Sequence, residues 1–191
     1  MRRVISFVHI SLDGLVAGPN GEMDWIKVDE EIFDFGATRI QKGDTAIYGR
    51  VTYEMMEAYW PTAADKPNPT KHDIEHSKWY STTTKIVLSR TLKKEDVDQR
   101  TIILHNNLVD QITTLKQSSG EDILVFGSPS ATHSLMKHNL IDGYWLFVNP
   151  IVLGEGIALF KNNSKKTLLT LLSTHQFSNG VTELFYVTNE S

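Results

Sequence analysis

No cysteine occurs among the 191 residues of the chain. That absence removes a disulfide framework, thiolate-bound zinc, iron–sulfur clusters and a thiol nucleophile together. Nor is there a run of Lys or Arg longer than two, and the formal net charge is −4, so nothing recommends a nucleic-acid or anionic-membrane partner. No apolar stretch approaches the roughly 20 residues of a membrane-spanning helix. The most apolar one, residues 144–154, is interrupted by Asn149 and Pro150. Arg2 and Arg3 precede an apolar segment too short for a secretory signal, with no small-residue cleavage site after it. The expectation is a soluble cytoplasmic protein.

What is present is ordinary globular composition, 40% hydrophobic and 22% charged, and a length that suits one domain over residues 1–191. Val4 to Ile10 is a near-continuous β-branched and apolar run, as a strand buried on both faces requires. Glu30 to Gln41 spaces Ile32, Phe33, Gly36, Ala37 and Ile40 as a helix stripe. Thr45–Tyr48 reads as a strand, and the helix after it carries Val51, Met55, Ala58 and Tyr59. Pro61 to Thr70, with three prolines, reads as a loop. Short strands at Lys85–Leu88, Thr101–Leu104, Ile123–Phe126 and Gly143–Val148 alternate with helix patterns, one of them opening on Ser128 and Pro129. Thr167–His175 and Val181–Val187, joined at Asn179-Gly180, read as a closing antiparallel pair. Strand–helix alternation of this kind predicts a mixed, mostly parallel sheet with helices on both faces.

In such sheets ligands bind beyond the C-terminal ends of the parallel strands, where helix N-termini also point. Three strand ends have suitable residues. Gly49, Arg50, Val51 and Thr52 combine a side-chain-free approach, a helix start and a fixed positive charge, all suited to a phosphate. Ser89 and Arg90 offer a hydroxyl and a guanidinium for a terminal phosphate. Gly127 and Ser128 form a strand–glycine–helix turn that matches neither the GxGxxG spacing nor the Walker pattern. Each of the three also reads as an ordinary polar turn. His72-Asp73-Ile74-Glu75-His76 matches an inverted zinc-protease pattern, but the proteases that use it are much larger, and a solvated helix face is expected there. No metal site is expected elsewhere.

The segment Ile10-Ser11-Leu12-Asp13-Gly14-Leu15-Val16-Ala17-Gly18, together with Gly49–Glu54, Leu88–Leu92 and Asn149–Gly156, resembles the dihydrofolate-reductase-like family. It is most similar to the branch containing the riboflavin-biosynthesis reductases, in the same motif order along nearly the whole chain. The resemblance implies a three-layer α/β/α fold, hydride transfer from NADPH to a small heterocycle such as a pyrimidine or pterin, and a homodimer. It places the cofactor pyrophosphate at Gly49–Thr52, the 2′-phosphate near Ser89 and Arg90, and the nicotinamide by Gly127, Ser128, Val16 and Ala17. Three positions depart from the family pattern: Leu15 stands where a basic residue is common, Ser128 in place of a second glycine, and Gly143 in place of an acidic residue. Leu15 weakens the case for a phosphoribosyl substrate.

Reduction of a C=N or C=O bond needs a proton as well as a hydride. The candidate donors are Asp13 on the first loop, which also reads as an Asp-Gly turn, and Asp29 or Glu30, which follow Trp25 at a helix start. Acidic residues in a first helical turn are expected from the helix dipole alone. A nucleotide-binding module without turnover is the alternative to a reductase.

Overall fold

The computed structural model describes residues 1–161 and 166–189. In chain order the elements are β1 (Val4–Ser11), β2 (Leu15–Ala17), α1 (Glu30–Ile40), β3 (Thr45–Gly49), α2 (Arg50–Glu57), α3 (Trp60–Ala63), α4 (Lys71–Thr82), β4 (Thr84–Leu88) and β5 (Thr101–Leu104). Then follow α5 (Leu108–Gln117), β6 (Ile123–Phe126), α6 (Pro129–Lys137), β7 (Gly143–Asn149), β8 (Ile157–Ala158), β9 (Leu169–Gln176) and β10 (Thr182–Thr188). Eight strands form one sheet in the order β5-β4-β3-β6-β1-β7-β10-β9, and β2 and β8 pair separately. The first six of that order are mutually parallel, and β10 runs antiparallel to both β7 and β9. The mostly parallel sheet and its C-terminal antiparallel pair are thus as the sequence pattern indicates.

Period-two alternation separates two cores. Along β1, Val4, Val8 and Ile10 join Ile112 of α5 and Leu135 of α6 on one face, while Ile5 and Phe7 join Ile32 of α1, Tyr53 of α2 and Trp79 of α4 on the other. The result is a three-layer sandwich. On α2 the buried residue is Tyr53, whereas Val51 and Met55, and Tyr59 beyond the helix end, are exposed, so the apolar stripe expected there is on the solvent side. Residues 61–63, expected as loop, belong to α3, with Pro61 early in the helix where its missing N–H is harmless. Three devices with little sequence signal also appear: the two short strands β2 and β8 and a 3-10 turn at Lys94–Asp96.

The inner face of α4 also departs from expectation. His76 is buried, not solvated, between the rings of Trp60, Trp79 and Phe126, and His72 stacks on Phe33 with centroids 3.9 Å apart. Aromatic partners on α1, α3 and β6 draw the two histidines of this polar-looking pentapeptide toward the core, while Ile74 stays exposed. Among the described residues no group of three or more His, Cys, Asp or Glu is placed to hold a metal ion. No helix described is long and apolar enough to cross a membrane.

Ion pairs gather at the N-terminal edge of the parallel strands. Arg2 pairs with Asp44, Arg3 with Asp122 at 2.7 Å, buried Lys85 with Asp98 at 2.9 Å, and Lys116 with Asp142 at 2.7 Å. Gly143 lies at the same edge, where β1 and β10 close on β7. A Cβ there would sit 2.7 Å from the Tyr186 carbonyl and 2.9 Å from Ile5 Cδ1, which explains the glycine at this position.

Two measurements check this packing. Gly143→Ala should cost about 1–3 kcal/mol through overpacking, lowering the thermal midpoint by several degrees. Burial pushes the His76 imidazole down from 6.5 to about 3, so the folded chain keeps it neutral while the unfolded chain protonates near pH 6.5. Stability is then complete above about pH 6.5 and falls as pH drops below it, by about 2 kcal/mol at pH 5 from this group alone. Thermal unfolding from pH 8 to 5 should show that loss, and His76→Gln should flatten it.

Candidate functional site

Because six strands run the same way, their C-terminal ends share one edge. Across it lie Ser89 after β4, Gly49 ending β3, Gly127 after β6, Ser11 ending β1 and Asn149 ending β7. From β4 to β1 is three strand spacings, about 14 Å, room for an extended ligand.

The centre of the edge is the junction of β3 and β6. The chain leaves β3 through α2 on one face and leaves β6 through α6 on the other, which makes this the topological switch point where open α/β sheets bind ligands. The N-termini of α2 and α6 therefore converge. Neither helix has a side-chain cap, so the free amides and positive dipole ends of both face the crevice. The Ser128 hydroxyl does not cap its own helix; it accepts the Gly49 N–H at 3.0 Å. Its own proton is left to donate outward. A Cβ on Gly49 would lie 2.2 Å from Ser128 Oγ and 3.0 Å from Ser130 Oγ. Gly127 has φ +57° with open space around its missing Cβ, so both glycines answer a geometric need.

The remaining phosphate candidates are placed less uniformly. Arg50 is exposed and holds Glu54 through two contacts of 2.8 and 2.9 Å, so its charge is already shared. Val51 is 61% exposed and Thr52 half-buried. Ser89 accepts the N–H groups of Thr91 and Leu92, shaping the turn after β4. Arg90 beside it is exposed and makes no ion pair among the described residues. Val16 and Ala17 are buried in β2, with Val16 packed into the core that α5 and α6 cover, so their side chains do not line an open pocket.

The acid candidates hold structure. Asp13 accepts the Ser11 hydroxyl at 2.6 Å, the Gly154 N–H at 2.8 Å and the Leu153 N–H at 3.2 Å. These bonds bring its carboxyl down to about 2, and through them Asp13 clamps the first loop to residues 153–154. Asp29 caps α1 through the Ile32 N–H and accepts from Asn179 at 2.7 Å. Glu31 accepts both the N–H and the hydroxyl of Ser178, which lower its pKa. Glu30 begins α1, exposed to solvent.

Asn149 and His9 are the residues whose weight only the structure reveals. Asn149, fully buried, accepts the Lys27 N–H at 2.8 Å and donates toward the Phe147 carbonyl and His9 Nδ1, at 3.1 and 3.3 Å. His9 is half-buried and stacks on Phe147 with centroids 4.9 Å apart. Desolvation pushes it down to about 4. It is therefore neutral, and with Nδ1 accepting, Nε2 carries the N–H. The only sequence signal for this pair is a lone polar ring in an apolar strand and an Asn-Pro step.

A family model, the RibD C-terminal domain, matches residues 2–182. The uncharacterized protein YyaP of Bacillus subtilis (strain 168) is 33% identical over 188 residues, covering 97% of this chain and 94% of its own. Among solved structures, a protein of Shewanella sp. PV-4 provisionally assigned to riboflavin biosynthesis superposes with a TM-score of 0.74 at 22% identity, covering 98% of this chain and 99% of that one. The diaminohydroxyphosphoribosylaminopyrimidine deaminase/5-amino-6-(5-phosphoribosylamino)uracil reductase of Thermotoga maritima superposes with a TM-score of 0.66 at 14% identity. This chain is covered to 98% and spans 57% of that protein. The structural likenesses establish a shared fold.

The Asp13 clamp is testable. Its bonds are at full strength above about pH 4 and weaken as the carboxyl protonates toward pH 2. Asp13→Asn should speed hydrogen exchange at the Leu153 and Gly154 amides severalfold while shifting the thermal midpoint little.

Proposed function

The chain belongs to the RibD C-terminal domain family, and on that footing we propose that it is an NADPH-dependent reductase acting on a small heterocyclic substrate. The observation that supports this reading most is the crevice between Gly49 and Ser128, where two uncapped helix N-termini meet and a Cβ on Gly49 would press on the Ser128 and Ser130 hydroxyls. Those residues fit a dinucleotide's diphosphate: free amides and an outward hydroxyl donate, and Gly49 permits close approach. When bound, the nicotinamide would supply the hydride.

The chain's own residues divide the other tasks. Arg90, exposed after β4, is suited to a ribose phosphate at the outer end of the edge. The neutral His9 and Phe147, at the β1–β7 end, offer an N–H donor and an aromatic face to a planar ring. Asp29, Glu30 and Glu31 open α1 beside that end, while Asp34 further along is paired with Lys71 at 2.6 Å, and Leu15 supplies no positive charge. This rim disfavours a phosphorylated substrate and favours an uncharged or cationic heterocycle. With Asp13, Asp29 and Glu31 held in hydrogen bonds, the proton that accompanies the hydride comes from Glu30 or from water.

A second reading, a nucleotide-binding module without turnover, draws support from that same commitment of carboxylates to structure. The two share the crevice and differ in chemistry. NADPH at about a hundred times its Kd should stabilise the chain by about 2.7 kcal/mol, raising the thermal midpoint by about 5–10 °C, and should do so more than NADH. Arg90→Ala should narrow the difference about tenfold in relative affinity. Absence of a shift with either nucleotide at millimolar concentration overturns both readings. Oxidation of NADPH with a pteridine or aminouracil acceptor selects the reductase.

A further inference from the structure

Near the C-terminal ends of β1 and β7, the hydrogen bonds around Asn149 leave His9 little freedom. Asn149 is fully buried, so its neighbours decide which way round its amide sits. The Lys27 backbone N–H can only donate, and it meets Oδ1 at 2.8 Å. The Phe147 carbonyl can only accept, and it lies 3.1 Å from Nδ2. With both ends of the amide fixed, the second hydrogen on Nδ2 is left for His9 Nδ1 at 3.3 Å and the Ile10 carbonyl at 3.4 Å. Nδ1 therefore faces a donor and accepts, and the imidazole proton sits on Nε2.

The polar side-chain atoms sealed in the core without a partner are Tyr48 Oη, Trp145 Nε1 and Glu183 Oε2. His9 Nε2 is not among them, although it too has no hydrogen-bond partner among the described residues. It therefore reaches the open side of its ring. The ring is held in place. It stacks on Phe147 with planes 25° apart, and Phe7 lies edge-on to it at 6.5 Å. Phe147 is itself packed by Phe35 and Phe177. Desolvation keeps the imidazole neutral down to about pH 4, so at neutral pH the β1–β7 end presents one fixed N–H donor without charge.

On the proposed reductase reading, we infer that His9 selects the edge of the substrate ring: its Nε2–H takes a carbonyl oxygen of a lactam-type heterocycle, and Asn149 is the positioning residue that keeps the proton on Nε2. A lone donor matches a ring atom that only accepts, and the exocyclic oxygen of a lactam is such an atom. An exocyclic amine at the same place would set N–H against N–H and leave desolvated donors unpaired, a loss of about tenfold or more in affinity. With the proton on Nδ1 instead, Nε2 would accept and the preference would turn toward the amine. One proton, placed by an asparagine 140 residues away, thus decides which heterocycle fits.

The tautomer is read on the ligand-free wild-type protein by nitrogen-15 NMR of its imidazoles at pH 7. The signals lost in His9→Gln should show a protonated Nε2 and a bare Nδ1. In Asn149→Asp, whose carboxylate only accepts, the proton should move to Nδ1; should that variant not fold, the wild-type spectrum carries the test. Calorimetry on the full chain at pH 7, with and without NADP⁺, should find 2,4-dioxopteridine bound about tenfold more tightly than 2,4-diaminopteridine, and His9→Leu should remove most of that difference. The dioxo compound should shift the His9 Nε2 signal, and NADP⁺ alone should not. A proton on Nδ1 in the wild-type protein, equal affinity for the two pteridines, binding of neither, or an Nε2 signal that moves with NADP⁺ alone each overturns the inference. Stabilisation by NADPH involves neither pteridine, so failure of this selectivity and failure of the proposed activity are read separately.

Discussion

Six strands pointing the same way govern the rest of this molecule. Parallel alignment sends every strand's C-terminal end, and the start of each helix that follows, to one edge of the sheet. Partial positive charge accumulates there without any charged side chain, because each uncapped helix N-terminus contributes its free amides. The opposite edge carries the counterpart: Arg2, Arg3, Lys85 and Lys116 meet Asp44, Asp122, Asp98 and Asp142. Ion pairs tie down one end, while the other stays open with glycines and hydroxyls.

Within that open edge, the β3–β6 junction is special because consecutive helices depart to opposite faces. Gly49 and Ser128 are 79 residues apart, yet one hydrogen bond joins them. A serine hydroxyl that both accepts from the backbone and retains a proton leaves the crevice a donor. Ser128 is therefore compatible with an anion in the crevice. At the other end of the edge, carboxylates serve as caps and clamps. Asp13 joins the first loop to residues 153–154, and Asp29 and Glu31 join α1 to the closing hairpin turn. These bonds tie the loops at that end of the edge to one another.

Most of the fold was legible along the chain, since buried parallel strands need unbroken apolar runs and few other structures do. The strand patterns at Val4–Ile10 and Ile123–Phe126 and the Asn179-Gly180 turn are local signals and coincide with the observed elements. The misplaced readings share a cause. From Arg50 onward, Val51, Met55 and Tyr59 are spaced as well for a helical stripe as the residues around Tyr53, and spacing alone cannot say which side meets the sheet. At His72–His76 the polar letters suggested solvent, but rings from distant elements supplied an aromatic environment. Asn149 and His9 carry little local signal because each takes its role from the other, 140 residues apart.

The amino-acid order alone settled the fold class, the positions of the strand-end turns and the chemistries ruled out by the absence of cysteine, because each depends on residue type and near-neighbour spacing. Tertiary structure decided the assignment of duties. It made Asp13 a clamp, left Arg90 without an ion pair among the described residues while Arg50 paired with Glu54, buried Val16, and brought two helix starts together at Gly49. Hydrogen-bond partners and desolvation determine whether a carboxylate, a guanidinium or an imidazole is available for chemistry. Those partners come from remote parts of the chain, so only the folded arrangement could specify them.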